Sequence, residues 1–441
     1  MLTSLDLILV VVYFITVLFI GWKVSRNEDN EGFLIGNRQV STASLNATVS
    51  ASLTGGSALA AYVAFLYLWG ISAFWIFIGV AVGILAFIPF AIKIKKEGDI
   101  KGHYTMLDFL NEKFGKGNII IAAGLLMLMF IAIILAEMII GGKVFALVTG
   151  LPYWLSIIIS SVVILIYVYL GGVKSDIRTD LFQYLMFFLL LVIGFMLFQK
   201  TSIDTAQLNI LSIGVVQIIG LIIMGIFIIF VSADVWQRAY SAKDIKTLKM
   251  GFTYAALSYL LVGIIISVIG LIIKSNFPNI NPNDAMIHGF SQLPAGLLGI
   301  GLIAILAAAM STIDTGLIVG SLFVSRDIIS RYKQTSKKEL IRLTRIFIIS
   351  LSLLTTILAM FTDNLVFVIY NMFNFALILA PAVTFSFFFD LKKKAIMWSL
   401  ILGIISAIIL VSFGQITPDV TVIPFFVSLI VLGVTQKLFK K

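Results

Sequence analysis

Cysteine is absent from the 441 residues, and histidine occurs only as His103 and His288. Disulfides, thiolate–metal sites and thiol nucleophiles are therefore excluded, and a His-rich metal centre has no raw material. Charge is also scarce. Asp, Glu, Lys and Arg make up 12% of the chain, against about 25% in soluble domains, so the chain cannot cover a water-facing surface. No stretch has the size and polarity of a soluble domain. Met1 to Asp6 carries no basic n-region or small-residue cleavage site, so the first apolar run is expected to be a retained helix. There is no HExxH motif, no clustered-aspartate motif and no Ser–His pair. The chain reads as a non-enzyme without a resident cofactor.

What is present is apolar: 60% of the residues are hydrophobic. The apolar runs are about 20 residues or more, the length of a membrane helix, where barrel strands would be about 10 and alternating. Backbone groups inside a bilayer must be satisfied within the segment. These runs predict an all-α integral membrane protein with about thirteen transmembrane helices, near 4–22, 44–69, 71–92, 118–148, 151–170, 177–199, 209–235, 250–273, 294–325, 343–361, 364–389, 395–413 and 421–436. The longest inner connections are 23–43, 93–117 and 326–342, and the longest outer one is 274–293.

The net charge of +10 would suit nucleic acid, but its placement argues against that. With the N-terminus outside, all 31 Lys and Arg except Lys143, Lys200 and Lys274 fall in inner loops or at the inner C-terminus. Basic residues retained on the inner side set topology. The expected location is the cell (inner) membrane, with the C-terminus cytoplasmic and the bilayer as partner. Neither nucleic acid nor an obligate protein partner is implied.

Two helices read as broken. Segment two contains Ser50-Ala-Ser-Leu-Thr-Gly-Gly-Ser57, and segment seven contains Gly214, Gly220 and Gly225. Small polar residues and glycines let a membrane helix unwind and release carbonyls, or they simply let helices pack closely. The two segments are five spans apart and so enter from opposite sides, as an inverted repeat of five helices would require.

Five ionisable residues interrupt the apolar runs: Glu137 and Lys143 in segment four, Asp180 in segment six, Asp234 in segment seven and Asp314 in segment nine. Such groups are costly and mark ion or substrate pathways. Lys143 has a simpler reading, snorkelling to the outer interface. Asp234 has one too, pairing with Arg238 at i+4. Segment nine also places Ser311 and Thr312 side by side, one turn from the carbonyl of Ala308. A small hard cation takes oxygen ligands. These hydroxyls, with carbonyls freed around Ala51 to Thr54, compose a five-oxygen shell. At about 1.5 Å per residue, the two sets meet in the inner half of the membrane.

Several stretches together resemble the sodium:solute symporter family, which includes bacterial proline, sugar and sialic acid carriers. They are Phe33-Leu-Ile-Gly-Asn-Arg38, Tyr104-Thr-Met-Leu-Asp-Phe-Leu-Asn-Glu-Lys-Phe-Gly115, Gly171-Gly-Val-Lys-Ser-Asp-Ile-Arg-Thr-Asp180 with Gln183, Trp236-Gln-Arg-Ala-Tyr-Ser-Ala-Lys243, and Leu293 to Asp327 with Ala307-Ala-Ala-Met-Ser-Thr312. The resemblance implies a LeuT-type fold in one domain: an extra helix at 4–22, inverted five-helix repeats at about 44–199 and 209–389, and two extra helices at 395–436. It implies sodium symport by alternating access, with sodium on the carbonyls of Ala51, Thr54 and Ala308 and the hydroxyls of Ser311 and Thr312. The family's segment-six aspartate maps to Asp180. A serine that partners it at a second ion site in some members is replaced by Ala308, and Asp314 is an alternative second-ion or coupling group. Proton coupling through Asp180 or Asp314 is the other transport reading. By position, the solute, a small polar organic molecule, would meet Thr54, Ser57, Phe74, Glu137, Asn371 and Asn374.

Overall fold

The computed structural model describes residues 3–25, 38–170, 189, 193, 196, 203–291, 293–294, 296–329, 336–414 and 417–438. Asp180, Gln183 and most of the predicted span 177–199 lie outside the described residues. Every named element is helical. Among the described residues, eight runs are long and apolar enough to cross a membrane, or up to nine if one bent pair counts as a single span. The all-α, multi-span expectation holds at that level.

The helices begin with α1 (Ser4–Ser25) and a discontinuous pair, α2 (Thr42–Leu53) and α3 (Gly56–Trp69). A 3-10 turn, Gly70–Phe74, leads into α4 (Trp75–Lys101). This turn reverses the chain. The rings of Tyr62 and Phe77 lie 4.4 Å apart, whereas 15 residues of straight helix would separate them by about 22 Å. The continuous run Gly56–Lys101 is thus two antiparallel arms.

Then follow α5 (Met106–Phe114), α6 (Lys116–Thr149) and α7 (Tyr153–Leu170). The second bent pair is α8 (Val215–Val231) with α9 (Ala233–Ser241), and α10 (Ile245–Asn276) succeeds it. The predicted inner loop 93–117 is largely helical instead. α4 continues to Lys101, and α5 is an amphipathic helix started by a capping box between Thr105 and Asp108. The outer connection 274–293 likewise folds a short helix, α11 (Ala285–Ser291).

The rest of the chain forms α12 (Leu297–Leu322), α13 (Lys337–Phe361), α14 (Leu365–Ala376), α15 (Ala380–Phe385), α16 (Lys393–Ser412), α17 (Pro418–Thr421) and α18 (Ile423–Leu438). α12 is the central element, since its whole apolar window is buried within the protein. A helix that is apolar all round packs against neighbours on every side. Its first turn is capped from α1: the Asp6 carboxylate accepts the N–H groups of Gly296 and Gly299, each at 2.8 Å. A carboxylate at a helix start satisfies open donors and complements the dipole.

Gly220 and Gly225 of segment seven serve packing, not breakage, and Gly214 is the N-cap of α8 with a φ of +85°. A Cβ on Gly225 would fall on the backbone of Gly79 and Val80 in α4, and one on Gly220 on the backbone of Pro418. The break lies further on, at Ser232, where the extended backbone (φ −74°, ψ 103°) separates α8 from α9 by a 52° bend.

Candidate functional site

In segment two the helix stops at the Thr54-Gly-Gly56 stretch. The Thr54 N–H is shared between the carbonyls of Ser50 (3.1 Å) and Ala51 (3.2 Å), and its hydroxyl donates to Ser50 O at 2.6 Å. Thr54 and Gly55 leave helical geometry, with ψ values of 43° and 163°. Among the described residues no backbone N–H reaches the carbonyls of Ser52, Leu53 or Thr54. Buried carbonyls need partners, so the break presents acceptor oxygens.

Segment nine meets this break directly. A Cβ on Gly55 would collide with the Thr312 side chain and with Glu137 Oε1, and a Cβ on Gly56 with Ala309 and the Ile305 carbonyl. Only glycine allows that approach. Ser311 is fully buried, Thr312 nearly so, and the Thr312 hydroxyl reaches Ala308 O at 3.3 Å. The structure thus brings Gly55 and Gly56 onto the α12 turns carrying Ile305, Ala309 and Thr312.

Glu137, fully buried on α6, caps the second arm. It accepts the Ser57 N–H at 2.8 Å and the Ser57 hydroxyl at 2.6 Å. Ser57 lies in the first turn of α3, where N–H groups are open and the dipole favours negative charge. Glu137 therefore brings a bracing role to the site besides its place on the wall.

Both breaks line one cavity of about 100 Å³. Its polar wall comprises Ser52, Ser57, Tyr62, Glu137, Ser232, Asp234, Tyr259, Thr312 and Thr315, and its apolar wall includes Val80, Phe130, Ile133, Met372 and Phe373. Tyr62 and Tyr259 join hydroxyls at 2.5 Å across the space. Asp234 occupies the first turn of α9, with Arg238 one turn on and the Ser52 hydroxyl beside it. Arg238 is fully buried and donates to the Thr315 hydroxyl at 3.1 Å.

Of the expected solute contacts, Ser57 and Glu137 line the cavity. Thr54 stands behind it at the break. Phe74 sits in the reversing turn against Phe77, with ring centroids 5.7 Å apart. Asn371 bonds back to its own helix at Phe367 O, 2.8 Å away, and Asn374 is buried away from the space. α14 instead turns Ile369, Met372 and Phe373 inward. Asp314 is buried on α12, accepts the Thr315 N–H at 3.2 Å and does not line the cavity. Lys143 pairs with Asp284 of the outer connection at 2.5 Å. The cavity residues missed from the sequence are Ser52, Tyr62, Ser232, Tyr259 and Thr315, whereas Asp234 stood out as an intramembrane charge with pairing to Arg238 as its simpler reading. The tyrosines interrupt apolar runs, a visible signal, but their pairing spans 197 positions.

On the Lys/Arg-rich face the described residues tie several elements together. Val40 bridges to the far end of α9, with Val40 N to Ser241 O and Lys243 N to Val40 O both at 3.1 Å. Arg38 pairs with Asp99 at 3.0 Å and Arg326 with Asp108 at 2.8 Å, while both guanidinium groups lie over the Tyr104 ring.

Two discontinuous helices around a mainly apolar central cavity with a few polar groups are the pattern of a secondary transporter of small organic solutes. The sequence pattern of the sodium:solute symporter family matches residues 33–403, and the chain belongs to that family. The osmoregulated proline transporter OpuE of Bacillus subtilis (strain 168) is similar, 23% identical over 466 residues that cover 98% of this chain and 94% of its own. The sodium/proline symporter of Salmonella typhimurium (strain LT2) is 23% identical over 90% of this chain and 85% of its own. A solved structure of a Na+-coupled sialic acid symporter, substrate-bound and outward-open, matches with a TM-score of 0.82 at 19% identity, covering 99% of this chain and 98% of that one. At that identity the likeness is one of fold. A nucleobase-cation-symport-1 family transporter, Mhp1, matches more distantly, with a TM-score of 0.57. The protein is a sodium-coupled symporter for a small organic solute, with Na+ as its coupling ion; its family comprises transporters and not enzymes.

Proposed function

We propose that this symporter imports a small polar solute by alternating access, with its sodium held by the carbonyls of Ala51, Thr54 and Ala308 and the hydroxyls of Ser311 and Thr312. The observation that carries this reading is the seating of Gly55 against Thr312 and Glu137. It unites the broken helix, the hydroxyl-bearing helix and the cavity wall at one point. Sodium there would join α2 to α12 and complete the wall that the solute meets. Inward opening would part α2 and α9 from the basic face, undoing the Val40–Ala242 bridge and freeing both cargoes.

The finer architecture belongs to the same proposal. About thirteen crossings would comprise two inverted repeats, 44–199 and 209–389, with one helix before and two after. The N-terminus would lie outside and the C-terminus in the cytoplasm of a cell bounded by this inner membrane. Two breaks five spans apart, flanking one cavity, support that arrangement. Asp180 and Asp314 stay as second-ion candidates, and Asp314 would act from behind the cavity wall.

The solute would present hydrogen-bond donors or a cationic group, because the described wall carries two carboxylates, Glu137 and Asp234, and no Lys, Arg or His. Its apolar part would rest on Val80, Ile133, Met372 and Phe373. Proline and sialic acid, the solutes named for the similar proteins, both offer such donors.

The test is sodium-dependent uptake into proteoliposomes. Ser311→Ala and Thr312→Ala are each expected to raise the sodium concentration for half-maximal uptake severalfold. An unchanged sodium dependence in both variants would overturn the assigned ion site.

A further inference from the structure

A second apolar hollow lies on the perimeter, away from the transport cavity. It measures about 260 Å³ and is lined by Phe385, Phe389, Leu391, Leu429, Leu432, Gly433, Gln436 and Lys437. Its walls are α15, the turn after it, and the last turns of α18. The surrounding surface is apolar and exposed: Phe389 is 59% exposed and Val434 51%. On a chain that spans a bilayer, such a face meets acyl chains.

One end of the hollow is built differently. Gln436 bolts the end of α18 to the start of α16. Its side-chain carbonyl accepts Lys392 N at 2.9 Å, its backbone carbonyl accepts Lys392 Nζ at 2.6 Å, and its amide donates to Asp390 O at 3.0 Å. Lys392 Nζ is thus taken up by Gln436, the Lys393 side chain packs on Gly115, and Lys437, next to Gln436, is the lysine that lines the hollow. Lys437 lines the hollow, and no salt bridge is recorded for it among the described residues. An apolar slot ending at a lysine has the two-part chemistry of an anionic phospholipid: an acyl chain in the slot and a phosphate at the Lys437 ammonium. Basic residues at the end of a membrane helix attract anionic headgroups.

We infer that this hollow binds one anionic phospholipid, with an acyl chain between Phe385, Phe389, Leu429 and Leu432 and its headgroup at Lys437. The inference rests on the membrane-spanning reading and is independent of the ion site. Bound lipid would staple α15 to α18 outside the transport core.

Gly433 makes the test clean. A Cβ added there meets nothing within 4 Å, so Gly433→Leu fills the slot without a clash. The full chain in detergent would be titrated with phosphatidylglycerol and, separately, with phosphatidylcholine of the same acyl chains. The readouts are lipid retained by native mass spectrometry and the shift in unfolding temperature, because a ligand of the folded state raises its stability. Phosphatidylglycerol is expected to bind more tightly. Lys437→Gln should weaken it by about fivefold while leaving phosphatidylcholine unchanged, and Gly433→Leu should abolish the phosphatidylglycerol shift. Equal binding of the two lipids by the natural chain, or a full phosphatidylglycerol shift in folded Gly433→Leu, would overturn the proposal. Sodium-driven uptake by the same variants reports on the transport reading separately.

Discussion

The two broken helices solve one problem in different ways. Each interrupts a membrane-spanning run at the cavity, and each lets its second arm begin there with a carboxylate near its first turn. For α9 the carboxylate is its own: Asp234 is the second residue of the arm. The bend is also closed locally, with the Ser232 N–H and hydroxyl both reaching Ile228 O, at 2.9 and 2.8 Å. For α3 the carboxylate comes from α6, as Glu137, 80 positions away. The break itself is pressed onto Thr312 of α12. The α9 break carries its own carboxylate. The other is closed locally in the same way, Thr54 N–H and hydroxyl both reaching Ser50 O, but it borrows its carboxylate from α6 and rests on Thr312 of α12, so a bound ion that favoured those contacts would bias the conformation.

The largest effect should come from separating those three helices. A side chain at Gly55 must displace Thr312 or Glu137. Gly55→Val is expected to abolish sodium-driven uptake and to destabilise the fold by about 1–3 kcal/mol or more. Uptake in proteoliposomes and thermal unfolding in detergent would measure it. Retention of normal uptake would show that the contact at the first break is not needed for coupling.

Next comes the carboxylate on loan. Glu137→Ala leaves the Ser57 amide and hydroxyl without their acceptor in a buried site, a cost of about 1–3 kcal/mol. Glu137→Gln keeps one acceptor oxygen and the side-chain shape, so it should cost less. Unfolding temperatures in the order natural chain, Gln, Ala would confirm the bracing role. If Gln and Ala were equal and both fully stable, Glu137 would be a solute ligand alone.

The self-contained break should be the more tolerant. Ser232→Ala removes one side-chain hydrogen bond to Ile228 but leaves the backbone bond, so the expected loss is about 1 kcal/mol or less, with the sodium dependence of uptake unchanged. A sodium response shifted as far as in Thr312→Ala would erase the distinction between the two breaks.

The contrast also explains what the sequence revealed. Ser50 to Ser57 advertises its break because four consecutive small or polar residues, Thr54-Gly-Gly-Ser57, leave few helix-favouring side chains there. Ser232 sits alone between apolar Phe230-Val231 and Ala233, and the nearby glycines point elsewhere because they serve helix contact. Length and hydropathy made the spans readable, and the Ser-Thr pair on segment nine is legible as chemistry. Contacts that depend on distant partners were not: Glu137 with Ser57, Tyr62 with Tyr259, Gly55 with Thr312. The asparagines of segment eleven failed for a simpler reason. Which face of α14 turns inward is decided by packing, and Ile369, Met372 and Phe373 take that face. The helix inside 93–117 was readable in principle, since Thr105 and Asp108 form a capping box ahead of an amphipathic run.

A surface carboxylate supplies the last and smallest contrast with those at the breaks. Glu112 on α5, outside the membrane-spanning segments, accepts from Lys101 at 2.5 Å and faces His103 Nε2 at 3.3 Å. The Lys101 hydrogen bond, foremost, and the neighbouring charges hold its carboxyl below the usual glutamate range. A carboxyl depressed in the folded state favours folding above its unfolded pKa, about 4.3. That contribution fades as pH falls through the lower folded value. The unfolding temperature of Glu112→Gln should therefore sit slightly below that of the natural chain by a constant gap from about pH 6 to 8. The gap should shrink towards zero as the medium is acidified below about pH 4. It should be small throughout, because the side chain is 41% exposed and water screens such pairs. A gap that widened on acidification would reverse the sign. A gap as large as that of Glu137→Ala would mean that the basic face depends on its ion pairs as strongly as the first break depends on Glu137.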